Sequence, residues 1–144
     1  MNLKQGLKRK SKLLYLIVQE MEKAITYNSI EEGNNRPYSV KEALQRWSQY
    51  KQQLIDLKTR IHTANLPVFH KIFTLSELKN DIKHLRSLKC TEGKTRARFV
   101  NEGELIQRVS EASIVERDNM ISEIESKIEK LQDELDEFNI ITQI

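Results

Sequence analysis

The chain is poor in the residues that punctuate structure: 4 Gly, 2 Pro and one Cys among 144 residues, with 6% aromatics. So little Gly and Pro excludes collagen-like and linker-like chains and argues against a turn-rich all-β fold. A single cysteine, Cys90, cannot close an internal disulfide, which points to a reducing compartment. The longest apolar run, Leu13-Leu14-Tyr15-Leu16-Ile17-Val18, falls far short of the roughly 20 residues that span a bilayer. It is also too short for an export signal, and no small-residue cleavage site follows it. Gly6 is not next to Met1 and the chain ends in Thr142-Gln143-Ile144, so no lipidation motif is read. A cytoplasmic location is therefore expected.

What is present is charge and helical periodicity. Charged residues make up 31% and hydrophobic residues 38%, too apolar for a disordered chain. The formal net charge of +3 hides an uneven spread. Residues 1–100 carry 20 basic and 9 acidic side chains, and residues 101–144 carry 4 and 12. Such asymmetry marks either a nucleic-acid or membrane arm, or two faces of a helical assembly that attract each other. The second reading is preferred, because no aromatic-basic interleaving accompanies the charge.

Four helical segments are expected within a single domain, 1–144. In the first, about 2–27, Leu7, Leu14 and Met21 hold one seam while Leu3, Ile17 and Ala24 hold another, interrupted by Lys10. Leu13, Val18 and Ile25 widen the stripe, so this helix needs more than one neighbour. Ser39-Val40-Lys41-Glu42 reads as a capping box opening a second helix to about Ala64, with Val40, Trp47, Leu54 and Ile61 seven apart. His62 to Phe73 is read as an apolar connector containing Pro67. Thr74-Leu75-Ser76-Glu77 then predicts a third helix to about Lys89. Arg96 to Val100 and Glu104 to Val109, around Asn101-Glu102-Gly103, suggest a small β-hairpin, an irregular loop being the alternative. Ser113-Ile114-Val115-Glu116 opens the last helix, which runs to about Asn139 with Ile121, Ile128 and Leu135 on its seam. The fold class expected is all-α: an antiparallel bundle of about four long helices, with a small hairpin near 95–110.

Chemistry is harder to find. His62, His70 and His84 are the only histidines, and only Asp81-Ile82-Lys83-His84 has carboxylate-x-x-His spacing, beside the repelling Lys79 and Lys83. Cys90 has basic neighbours in Lys89, Lys94 and Arg96, but no catalytic signature surrounds it. Glu92-Gly93-Lys94-Thr95 lacks the upstream glycine of a phosphate loop. No catalytic residue, metal site, cofactor or small-molecule substrate is predicted. The candidate contacts to an anion or nucleic acid are Lys8, Arg9, Lys12, Lys94, Arg96 and Arg98, whose alternative role is pairing with the acidic last helix. For helix packing or an oligomer interface the candidates are Leu7, Leu14, Ile17, Trp47, Leu54, Ile121, Ile128 and Leu135.

The segments Arg60-Ile61-His62-Thr63-Ala64-Asn65 and Thr74-Leu75-Ser76-Glu77 resemble the septicolysin-like family of small bacterial proteins. Glu31-Glu32-Gly33 is similar to that family's acidic-Gly loop, and Leu131 to Phe138, then Asn139 to Ile144, to its acidic last helix and tail. His62, Ala64 and Ile140 depart from the pattern, where Asn, Thr and an aromatic are usual. The resemblance implies a helical, self-associating protein and supplies no catalytic residue set. The functional expectation is a non-enzymatic, homo-oligomeric interaction or scaffold module. Its rivals are a nucleic-acid or ribosome-associated protein, and a membrane-active protein using the Lys-rich first helix.

Overall fold

The computed structural model describes residues 1–96 and 105–144. The chain is mostly helical: α1 (Leu3–Tyr27), α2 (Val40–Asn65), α3 (Phe69–Arg86) and α4 (Ile114–Ile141), with a two-stranded antiparallel sheet of β1 (Gly93–Arg96) and β2 (Leu105–Arg108). It divides into two compact units, Met1–Val68 with Asp136–Ile144, and Phe69–Leu135.

In the first unit α1 and α2 pack antiparallel: Arg9 hydrogen-bonds Gln53 at 3.2 Å near one end, and the Tyr27 and Tyr38 rings lie 5.7 Å apart near the other. Leu3, Leu13, Leu54, Leu57 and Ile61 form the core, with Leu7, Ile17, Tyr50, Ala64, Phe138 and Ile144 packed around them. Asn2 caps α1 by a reciprocal box with Gln5, in which each backbone N–H donates to the other's side-chain oxygen, at 2.9 and 3.0 Å. Arg36 from the α1–α2 loop donates to the carbonyls of Tyr27 and Asn28, placing a cation at the negative end of α1. The last residues close back on the first turn. Leu3 N–H donates to the Thr142 carbonyl at 2.8 Å and Ile144 N–H to the Met1 carbonyl at 2.9 Å.

One carboxylate is buried in this unit. Glu20, 6% exposed, lies 3.2 Å from both Lys23 Nζ and Arg46 Nε. Its Oε2 makes no hydrogen bond among the described residues, so Arg46 holds that oxygen by charge alone. Removing one partner of such a pair costs more than replacing both. Arg46→Ala should destabilise by about 1–3 kcal/mol. The double variant Glu20→Leu with Arg46→Leu should recover most of that loss. Urea unfolding of the parent and the two variants checks this, and a double variant no more stable than Arg46→Ala would show that the two residues are not coupled.

Where the sequence suggests a connector over 62–73, the backbone is helical. From α2 the chain passes through a 3₁₀ turn, Leu66–Val68, directly into α3 at Phe69. Pro67 supplies no amide donor and disturbs only that turn. Thr74 is therefore not a cap: its hydroxyl donates to the carbonyl of His70, one turn back in the same helix, at 2.7 Å.

In the second unit α3 and α4 run antiparallel, joined by Lys71–Glu134 (2.9 Å), Arg86–Glu125 (3.6 Å) and Arg117 on the Leu88 carbonyl (3.4 Å). Ser113 and Glu116 form the expected capping box of α4. The hairpin is present, but its described strands fall earlier than expected on the first arm, with Gly93 opposite Arg108 and Arg96 opposite Leu105. Gly93 enters β1 at φ +87, a conformation that a side chain would strain. The predicted turn, Asn101-Glu102-Gly103, lies outside the described residues.

Candidate interaction surfaces

The basic residues singled out in the sequence fall in two places. Lys8, Arg9 and Lys12 are exposed on α1 in the first unit; Lys94 and Arg96 are exposed on β1 in the second. Arg98 lies outside the described residues. A strand sends alternate side chains to opposite faces, so Lys94 and Arg96 share one face of the hairpin. Arg108 is aimed differently, its Nε donating to Thr95 Oγ1 at 3.1 Å. Lys89 and Arg108 line an open cleft at the hairpin with Thr91 and Gln107. Arg108 did not stand out in the sequence; its pairing opposite Gly93 brings it to the hairpin.

The acidic last helix has partners of its own. Glu125 and Glu134 pair with Arg86 and Lys71 of α3. Among the described residues, Lys8, Lys12, Lys94 and Arg96 form no ion pair, while Arg9 turns to Gln53. The hydrogen bond from Lys71, then its charge, holds the Glu134 carboxyl below the usual carboxylate range; Lys130 acts in the same sense and desolvation opposes. A carboxyl depressed in this way stabilises the fold above its unfolded pKa, and that contribution is lost as pH falls through the folded value. Lys71→Gln should raise the Glu134 titration toward the ordinary carboxylate range. Side-chain carboxyl NMR reads this directly, and an unmoved titration would dismiss the pair.

His62 lies on α2, in the first unit, whereas Asp81, His70 and His84 are exposed on α3 in the second. Among the described residues no group of three or more His, Cys, Asp or Glu side chains gathers about one point. Cys90 is half-buried, with Sγ 3.7 Å from the Leu88 carbonyl. No helix among the described residues is long and apolar enough to cross a membrane.

The proposed packing residues divide by exposure. Leu54, Ile121 and Leu135 are buried, Leu7 and Ile17 pack on the core, and Ile128 is half-buried. Trp47 is half-buried beneath Lys51, whose ammonium sits 3.5 Å from the ring centre in a cation–π contact. Leu14 is 43% exposed, beside Val18 at 53% and Ile25 at 73%. α2 adds Leu44 and Ile55, and the first two turns of α4 add Ile114, Val115 and Met120.

These features define a helical protein of two antiparallel helix pairs, one carrying a β-hairpin, with apolar and basic surface outside its cores. No family model, curated protein or solved structure matches the chain.

Proposed function

We propose that the chain is a non-enzymatic, self-associating helical protein, an interaction or scaffold module of septicolysin-like type working in the cytoplasm. The observation that carries this reading is the set of large apolar side chains left in solvent on helices whose other faces are packed. Scattered exposed leucines are ordinary, but a stripe continuing along a helix marks a surface that another helix covers. The antiparallel bundle of four helices expected from the heptads is the packing such an assembly would use. Light scattering across a concentration range should give a mass that is a whole-number multiple of the single chain. A concentration-independent monomer would end this reading.

A second reading rests on Lys94 and Arg96, which share an exposed face without a described carboxylate partner. They would serve binding to nucleic-acid phosphates. Its mark is affinity for RNA or DNA that falls steeply with salt and is lost in Lys94→Ala with Arg96→Ala. Absent or salt-insensitive binding removes it.

A further inference from the structure

We infer that the partner of the exposed α1 stripe is a second copy of this chain, docked antiparallel so that two α1–α2 pairs complete one four-helix bundle. The inference rests on the self-association reading and specifies its surface.

At 100° per residue, Leu14, Val18, Met21 and Ile25 fall within about 60° of arc, roughly 110° around α1 from the buried Leu13, Glu20 and Ala24; the same arc is buried at Leu3 in the first turn, where the end of the chain closes on it. On α2, Leu44 and Ile55 stand at about the same angle, in the same sense, from the buried line of Ala43, Leu54 and Ile61. Because the two helices run antiparallel, equal rotations from their shared contact line carry both stripes to one side of the pair. That side is a two-helix apolar face whose α1 members are half-buried at Met21 and exposed at Leu14, Val18 and Ile25.

Spacing and charge together choose the occupant. The α1 stripe reads 14, 18, 21, 25, the same steps in either direction, so an antiparallel copy meets it in register: Leu14 against Ile25 and Val18 against Met21 of the second copy. A self-complementary patch of this kind closes on a two-fold axis. Residues 1–12 carry five basic side chains, Lys4, Lys8, Arg9, Lys10 and Lys12, and no acidic one. Residues 21–36 carry Glu22, Glu31 and Glu32 against Lys23 and Arg36, Glu20 being already paired within its own chain. Parallel docking would stack the basic halves on each other. The antiparallel register instead sets the basic first turns of each α1 beside the end of the other α1 that leads into the Glu31-Glu32 loop, the orientation that complementary charge favours.

The test uses the full chain with Cys90→Ser. Mixing Leu14→Cys with Ile25→Cys under mild oxidation should give the mixed disulfide dimer several-fold above either self-linked dimer. The two like cysteines of a self-linked pair would stand about 16 Å apart along the helix in this register. Val18→Glu, at a position already exposed, should keep the helical circular dichroism and convert the assembly to monomer. Self-linked Leu14 dimers in excess would overturn the antiparallel arrangement. An oligomer that forms no cross-link and ignores Val18→Glu would overturn this interface while leaving self-association standing. A monomeric parent protein would overturn both.

Discussion

Leu13→Ala is expected to cost the first unit about 3–4 kcal/mol, a large share of what a small domain has. Leu13 is 1% exposed and, with Leu3, is the largest fully buried side chain. It stands among Leu54, Leu57 and Ile61, on one long helix pressed to another. Straight helices cannot collapse far to fill a hole, so the cavity term adds to the lost transfer energy. In thermal unfolding the transition of that unit should fall by on the order of 15 °C. Val109→Ala, at a site 86% exposed, is the comparison and should stay within about 0.5 kcal/mol of the parent. A Leu13→Ala protein as stable as the Val109→Ala protein would mean that α1 does not pack as described.

The neighbouring Leu14 shows how much of this could be read beforehand. Both leucines belong to an apolar arc on α1 that is wider than one partner helix can cover. Heptad spacing identifies the arc, but two seams run through it side by side, and periodicity does not say which faces α2. The buried line is Leu3, Gly6, Leu13, Glu20 and Ala24, and it includes two residues that no hydrophobic pattern selects. Glu20 is paired there by Arg46, twenty-six residues away, and Gly6 is shaped by a residue at the far end of the chain. Such decisions are made by tertiary partners, and a local pattern carries no trace of them.

Helix ends were legible where the cap chemistry is unique. Ser113 and Glu116 exchange bonds as the sequence suggests, whereas Ser39 forms half of its expected box: it accepts from Glu42 N–H at 3.3 Å, and the Glu42 carboxylate pairs with Arg46 at 3.6 Å. Thr74-Leu75-Ser76-Glu77 has the same letters within α3, since a threonine can return its hydroxyl to the preceding turn when the chain before it is already helical. The basic residues of the candidate anion surface were legible one by one. Their division into two clusters was legible too: Lys8 and Lys12 lie on α1 in the first unit, while Lys94 and Arg96, two apart on β1 in the second, share a face by strand alternation.

Gly6→Leu should release the end of the chain from α1. A glycine inside a helix costs about 1 kcal/mol relative to alanine, so its presence at the fourth position of α1 needs a reason. The reason is Ile144: a Cβ on residue 6 would run into its Cδ1 while lying 3.7 Å from Ile61 Cγ1. Gly6→Ala meets only the flexible tip of Ile144. The gain in helix propensity should offset that displacement, leaving a change within about 1 kcal/mol. Leucine has no such escape, because the rest of its side chain needs the volume that Ile144 fills. We expect Gly6→Leu to destabilise the first unit by about 2–3 kcal/mol. Hydrogen exchange should quicken at the Leu3 and Ile144 amides, whose acceptors are the Thr142 and Met1 carbonyls. Deleting residues 142–144 completes a cycle that separates this from a general packing defect. In the parent the deletion should be costly, and in Gly6→Leu nearly free, because the displaced segment no longer contributes. Equal costs in both backgrounds would show that Ile144 and the Gly6 gap are independent.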